Sequence, residues 1–262
     1  MIRNGFFKLF IILHFLPIIF LPKDLISKNP ENSEIKNLRD SINVYYYSFD
    51  KKKLSNLLEI SDNLIKSDNS DYYSYYYNGI IRYCLGRVVY NESRDLAYDY
   101  FDSSLDRFEK AFANKETPVA LAMISAAYGK KSALSPLKAI FLGQKAKNRI
   151  YDAYSSDSLN SKVLLVAATH LMHIPGFYGG DKVKARKILM KCLEINKKNM
   201  QTDSLELNWA GDAEIYAYLA QIDILEGKFD DARQNMKKAL TIKPKYGFVM
   251  IDLENQIKKA EK

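Results

Sequence analysis

"YAYLAQIDILEGKFDDARQNMKKALTIKPKY", residues 216–246, sets two apolar stripes on either side of a short polar joint. Leu219 and Ala220 belong to the first stripe, and Phe229, Ala232, Met236, Ala239 and Ile242 form the second. Apolar residues recurring at this spacing mark an amphipathic helix. Gly227 suits the positive φ that ends the first helix. Asp230 and Asp231 favour the electropositive start of the second, and Pro244 closes it. The segment reads as two antiparallel helices with small residues where they meet.

The same arrangement recurs upstream. In "HIPGFYGGDKVKA", residues 173–185, Gly180 precedes Ala185 by the five positions that separate Gly227 from Ala232. Aligned on these glycines, Ala185, Arg186, Lys191, Leu193 and Ile195 are identical to Ala232, Arg233, Lys238, Leu240 and Ile242. Leu189 stands against Met236 and Cys192 against Ala239. The glycines thus mark a joint between two helices, lengthened by "IPGFYG". A phosphate-binding loop would need GxxxxGK[ST] after a strand. Here no Ser or Thr follows, and "SKVLLVAATHLMH" before it is helical in character.

Looser copies of the second helix occur at Ala146, Ile150 and Ala153, at Ser104, Phe108 and Ala111, and at Leu57, Ser61 and Leu64. First-helix candidates precede them at 34–49, 72–90, 118–132, 161–173 and 210–225. The expected fold is all-α, a superhelical stack of about five antiparallel helix pairs. Residues 199–210 form a further connector before the last pair.

The placement of Ala220, Gly227, Phe229, Ala232, Ala239 and Pro244 resembles the tetratricopeptide repeat (TPR), in which small residues let neighbouring helices approach and each copy needs the next to bury its apolar face. Steps of 42, 39 and 47 residues from 104 to 146, 185 and 232 exceed the usual ~34, so the copies are degenerate. Over roughly residues 35–255 the chain is also similar to exported bacterial TPR-like proteins, including relatives of the T-component of TRAP transporters. "YYNGIIRYCLG" at 76–86, "PGFYGGDKVKA" at 175–185 and "IKPKYGFVMIDL" at 242–253 carry that likeness. It implies a periplasmic binding protein, with a small-molecule carrier beside a solute transporter as one version of the role.

The amino terminus reads as an address. Arg3 and Lys8 precede an apolar run from Leu9 to Leu21, which is short of the ~20 residues a spanning helix needs. Pro17 and Pro22 interrupt it, and no lipid-anchor cysteine follows. Residues 1–26 are expected to be a signal peptide or an uncleaved anchor, 27–34 a linker and helix start, and 35–262 the repeat domain. The expected location is the periplasm. Membrane contact follows only if the leader stays attached.

Composition excludes several function classes. The 262-residue chain carries a net charge of +8, with its cations spread along the whole length beside 31 acids and not clustered as nucleic-acid binding requires. No GxSxG or HExxH occurs, and the sequence implies no catalytic residue, metal or cofactor. His170 and His173 share a helical face, yet a metal would need further ligands from elsewhere. Cys84 and Cys192 lie far apart in sequence, and whether they pair is left open.

The expected function is a non-catalytic scaffold for a protein or peptide partner, such as a transport or envelope complex. Stacked pairs present a concave surface lined by first helices. Tyr76, Arg82, Tyr83, His173, Glu214 and Gln221 are the candidate groove residues. The tyrosine clusters "VYYYSF" and "DYYSYYYNGIIRY" fit either that groove or packing between helices. The structural repeat positions are Ala146, Ala153, Gly180, Ala185, Gly227, Ala232, Ala239 and Pro244.

Overall fold

The computed structural model describes residues 30–67, 71–198 and 205–261. The leader read at residues 1–26 lies outside the described residues. The described chain forms five consecutive helix pairs. They are α1 (Pro30–Ser48) with α2 (Lys51–Lys66), α3 (Tyr72–Val89) with α4 (Arg94–Asn114), α5 (Pro118–Leu134) with α6 (Ala139–Ser156), α7 (Ser161–His173) with α8 (Lys182–Lys198), and α9 (Asp212–Leu225) with α10 (Phe229–Ile242). A π-wound segment, Phe248–Leu253, then runs into α11 (Glu254–Ala260). No strand occurs among the described residues, and none of their helices is long and apolar enough to cross a membrane.

Local chemistry starts five of the paired helices. Side chains of Asp50, Asp71, Ser93, Thr117 and Asn160 each accept from an amide in the first turn that follows. Such caps satisfy donors that a helix leaves unpaired, worth ~1 kcal/mol each. The first helix starts at Pro30, inside the stretch expected to be linker and helix start.

The stack is held by the periodicity read from sequence. Ala232, Met236 and Ala239 are buried, as are Ala185, Leu189 and Cys192, Ala146, Ile150 and Ala153, Ser104, Phe108 and Ala111, and Leu57, Ser61 and Leu64. The same face of every second helix therefore enters the core. Close approach is sharpest between α3 and α4. A Cβ on Gly79 would lie 2.6 Å from the Phe108 ring, and one on Gly86 would lie 2.8 Å from Phe101.

Gly227 ends α9 with φ +72°, but Gly180 does not repeat that role. Gly179 takes the left-handed conformation there, with φ +98°. Gly180 is needed for space, because a Cβ would stand 1.8 Å from the Ile174 carbonyl oxygen. The insertion has moved the turn back by one residue, coiling Gly176–Tyr178 into a single 3-10 turn. The aligned arginines keep a common task. Arg186 on α8 reaches Asp223 and Glu226 around the next first helix, and Arg233 on α10 reaches Glu261 at the end of α11. The terminal helix thus stands where a sixth first helix would begin.

The two ends of the stack also meet. Tyr46 on α1 donates to Glu214 on α9 at 2.7 Å, and Tyr47 donates to the Asn208 carbonyl at 3.1 Å. The Trp209 indole donates to the Tyr76 hydroxyl at 2.8 Å, while the Tyr77 hydroxyl bonds the Leu205 carbonyl. Tyr47 also packs edge-on against Tyr246. The connector before α9 therefore bolts the tyrosine-rich first repeats to the last one. Phe49 and Ala210, both at this seam, hold φ of 54° and 62°, a conformation that costs a non-glycine residue ~1 kcal/mol or more.

Candidate binding cavity

A cavity of ≈ 900 Å³ opens inside the stack. Each bordering helix contributes a stripe at helical spacing: Tyr83 and Arg87 from α3 with its C-cap Tyr90, Val166, His170 and His173 from α7, and Tyr218 and Gln221 from α9. Ser125, Gly129 and Lys130 of α5 continue the wall, and Phe248, Asp252 and Lys259 come from the terminal segment. Buried residues such as Arg87, Ser125, Val166, Gln221 and Phe248 make its floor. Exposed residues mark the mouth, among them Ile140 and Lys147 of α6 and Phe177 and Tyr178 of the α7–α8 joint.

The floor is built around Arg87. Its guanidinium lies between two rings, 5.0 Å from the Phe49 centroid and 5.1 Å from that of Phe248, so cation–π attraction holds it in place. The side chain is 8% exposed, and its Nη2 has no hydrogen-bond partner. Glu214 is the buried carboxylate behind it. Its oxygens are already engaged by the Tyr46 hydroxyl and the Ala210 amide, and no ion pair joins it to Arg87. Burial raises the Glu214 carboxyl above its usual range, against the pull of the Arg87 charge. Gln221 Oε1, also buried on the lining, lacks a partner as well.

Positive charge dominates the cavity lining. Four cations, Arg87, Lys130, Lys147 and Lys259, face one carboxylate, Asp252, among the described lining residues. Burial, followed by the charge of Arg87, pulls the Lys130 ammonium down to about 8. Asp252 is raised by burial and lowered by both cations, and it accepts from Asn91. Burial and then Lys147 hold His170 at about 4, while burial and then Lys130 do the same to His173. His173 stands exposed at the mouth while His170 is partly covered, so His170 is the better shielded of the two imidazoles. Gln221 acts the other way, favouring the protonated form of His173. Both imidazoles are therefore neutral at pH 7. Among the described residues no group of three or more His, Cys, Asp or Glu gathers to hold a metal.

The six candidate groove residues separate into two sets. Tyr83, His173 and Gln221 meet at the cavity. Tyr76 does not reach it, being wholly buried under Trp209. Arg82 turns to α2, where its Nη2 donates to both oxygens of Asp62 at 2.7 and 3.0 Å, while its Nε donates to Asn78 one turn earlier on α3. Glu214 lies in the seam behind the floor. Arg87, Lys130, Lys147 and Asp252 were not among the candidates. The signal for Arg87 was a cation inside the apolar run "LGRVV", four residues after Tyr83 on one helical face. Cys84 and Cys192 are buried free thiols in the structure, each pushed up to about 12 by burial.

Paired helices, small-residue contacts and a lined concave interior define a TPR-like all-α helical repeat. The structure is similar to the crystal structure of a thermophilic TPR protein from Thermus thermophilus, with a TM-score of 0.58 at 15% sequence identity, covering 87% of this chain and 98% of that one. No family model matches the sequence, and no curated protein matches it.

Proposed function

We propose that the protein is an exported, non-catalytic periplasmic binding protein that takes a small molecule into the interior of its helical stack. The observation that carries this reading is the cavity of ≈ 900 Å³ behind the seam between the first and last repeats. Small-molecule sites occupy ~300–1,000 Å³ and combine apolar walls with a few placed polar groups. An open scaffold for a long peptide would not need its two ends bolted together. The resemblance to the T-component group supports a place beside a solute transporter. Gly129 offers a direct test, because it lines the cavity and a Cβ there meets nothing within 4 Å. Gly129→Trp is expected to put an indole into the cavity and narrow it while leaving the helical circular dichroism intact. Mass spectrometry of protein isolated from its native envelope should find a bound small molecule in the wild type and less of it in the variant. An empty wild type in the envelope fraction, or recovery of the protein from the cytoplasm alone, would count against the reading.

A second reading, a scaffold for a protein or peptide, has its own support in the rim. Leu137, Ile140, Phe141, Phe177 and Tyr178 are all more than half exposed. Apolar rims of this kind suit a docking partner. Pull-down from an envelope extract with a Phe141→Ser and Phe177→Ser double variant as the control separates rim docking from cavity binding.

A further inference from the structure

Resting on the cavity reading, we propose that the ligand is an amphiphilic organic anion whose carboxylate sits between Arg87 and Lys130 and whose apolar body lies along Tyr83, Tyr218 and Phe248. Three independent observations converge on that placement. Arg87 is a cation more than nine-tenths buried, on the lining, with a guanidinium nitrogen that nothing in the protein bonds. Buried donors are almost always paired, and an unmet one costs free energy that packing alone does not return. Glu214, the obvious internal partner, is instead consumed by Tyr46 and Ala210.

The second observation is charge. Lys130 stands close enough to Arg87 for the two like charges to oppose each other, and Asp252 answers for one of them. Lys147 and Lys259 add further positive charge toward the mouth. An entering carboxylate relieves the Arg87–Lys130 repulsion, and a guanidinium fork matches its two oxygens. The third observation is the wall. The Tyr83, Tyr218 and Phe248 rings, with Val166 and Ile174, offer apolar surface beside the cations. A small inorganic anion would leave that surface unused, and a neutral apolar ligand would leave the cations unanswered. The neutral imidazoles of His170 and His173 add no charge and are compatible with either end of the ligand.

The test uses the full chain and a matched set of probes: decanoate, decanol and decyltrimethylammonium, each displacing a neutral solvatochromic dye from the protein. Decanoate is expected to bind about tenfold or more tightly than decanol, and the cationic probe most weakly. Arg87→Met should bring decanoate down to the level of decanol while leaving decanol binding unchanged. Should Arg87→Met fail to fold by circular dichroism, Lys130→Gln alone decides, with an expected loss of about three- to tenfold for decanoate only. Gly129→Trp should weaken binding of both probes. Equal binding of decanoate and decanol, or Lys130→Gln leaving their ratio unchanged, overturns the anion assignment while the cavity reading stands. Binding left unchanged by Gly129→Trp places the probes elsewhere and overturns it too. If no probe displaces dye from the folded wild type, the cavity reading falls with it.

Discussion

The Tyr46 hydroxyl donates to Oε1 of Glu214 at 2.7 Å across 168 positions of sequence, tying the first helix of the stack to its last pair. The bond reaches a carboxylate that is 1% exposed, so it cannot be replaced by water without opening the seam. Burial holds the Glu214 carboxyl above its usual range. A raised carboxyl binds its proton more tightly folded than unfolded. Its contribution is therefore fully present below the unfolded pKa and is lost as pH rises through the folded one.

Tyr46→Phe is expected to lower stability by about 1–3 kcal/mol, the cost of leaving a buried acceptor short of a donor. The loss should be larger at pH 8 than at pH 5, because the missing hydroxyl served the ionised form. Glu214→Gln should remove that pH difference. Urea denaturation of the two single variants and the double variant at both pH values measures the coupling, and an equal Tyr46→Phe penalty at the two pH values would contradict the assignment.

Gly79→Ala is expected to cost about 1–3 kcal/mol, the usual range for forcing an extra group into a packed core. The added methyl would fall 2.6 Å from the Phe108 ring, and α4 cannot retreat without breaking its contacts on α3. Pairing it with Phe108→Leu should recover part of the loss, which Phe108→Leu alone would not predict. Thermal melts of the cycle decide the matter. Gly129→Ala serves as the control, since its Cβ meets nothing.

The pairs were legible in the sequence because the signal that makes them is local. Ala232, Met236 and Ala239 repeat as Ala185, Leu189 and Cys192 within one helix, and burial of that stripe needs only the next helix to stack. The seam was not legible, because Tyr46, Tyr76 and Tyr77 meet partners at Glu214, Trp209 and Leu205 across long loops of chain. The same fact explains the divided fate of the groove residues. Tyr76, Tyr83 and Arg87 lie along one inward stripe of α3 that ends at its C-cap Tyr90, but Trp209 fills the space at the level of Tyr76 and the cavity opens only beyond it. Periodicity assigns a face. It does not say what stands opposite that face, so Tyr83 reached the cavity while Tyr76 became core. Nor does it foretell that the Phe248–Leu253 turn and α11 would supply a wall.

Acid should weaken the fold through α7. His170 and His173 are held at about 4 when folded, by burial first and a neighbouring lysine second, against an unfolded value of ~6.5. Below 6.5 the unfolded chain takes up protons that the folded chain refuses, so stability is lost as pH falls from about 6.5 toward 4. The His170→Asn, His173→Asn double variant should show a shallower decline over that window than the wild type, with little difference at pH 7.5. Parallel declines in urea midpoints would mean that neither imidazole is set apart from solvent.

Arg186 and Arg233 occupy the same position in successive repeats, yet their loss should not cost the same. Arg233 and its partner Glu261 are 49% and 40% exposed, and pairs so open to solvent contribute little to stability. Asp223, the partner of Arg186, has a side chain only 2% exposed. Removing the guanidinium leaves that carboxylate with Asn235 as its remaining side-chain donor, and stripping one member from a buried pair costs about 3–5 kcal/mol. Arg186 itself is 31% exposed, so water can enter as it leaves, and the expected loss for Arg186→Gln is nearer the lower figure. Arg233→Gln should leave the urea midpoint close to that of wild type. Added salt should erode the Arg233 contribution first, because its pair is the one solvent screens. Asp223→Asn in the Arg186→Gln background should restore part of the stability by removing the stranded charge. If the two arginine variants unfold at the same urea concentration, burial of Asp223 is not what distinguishes the two joints.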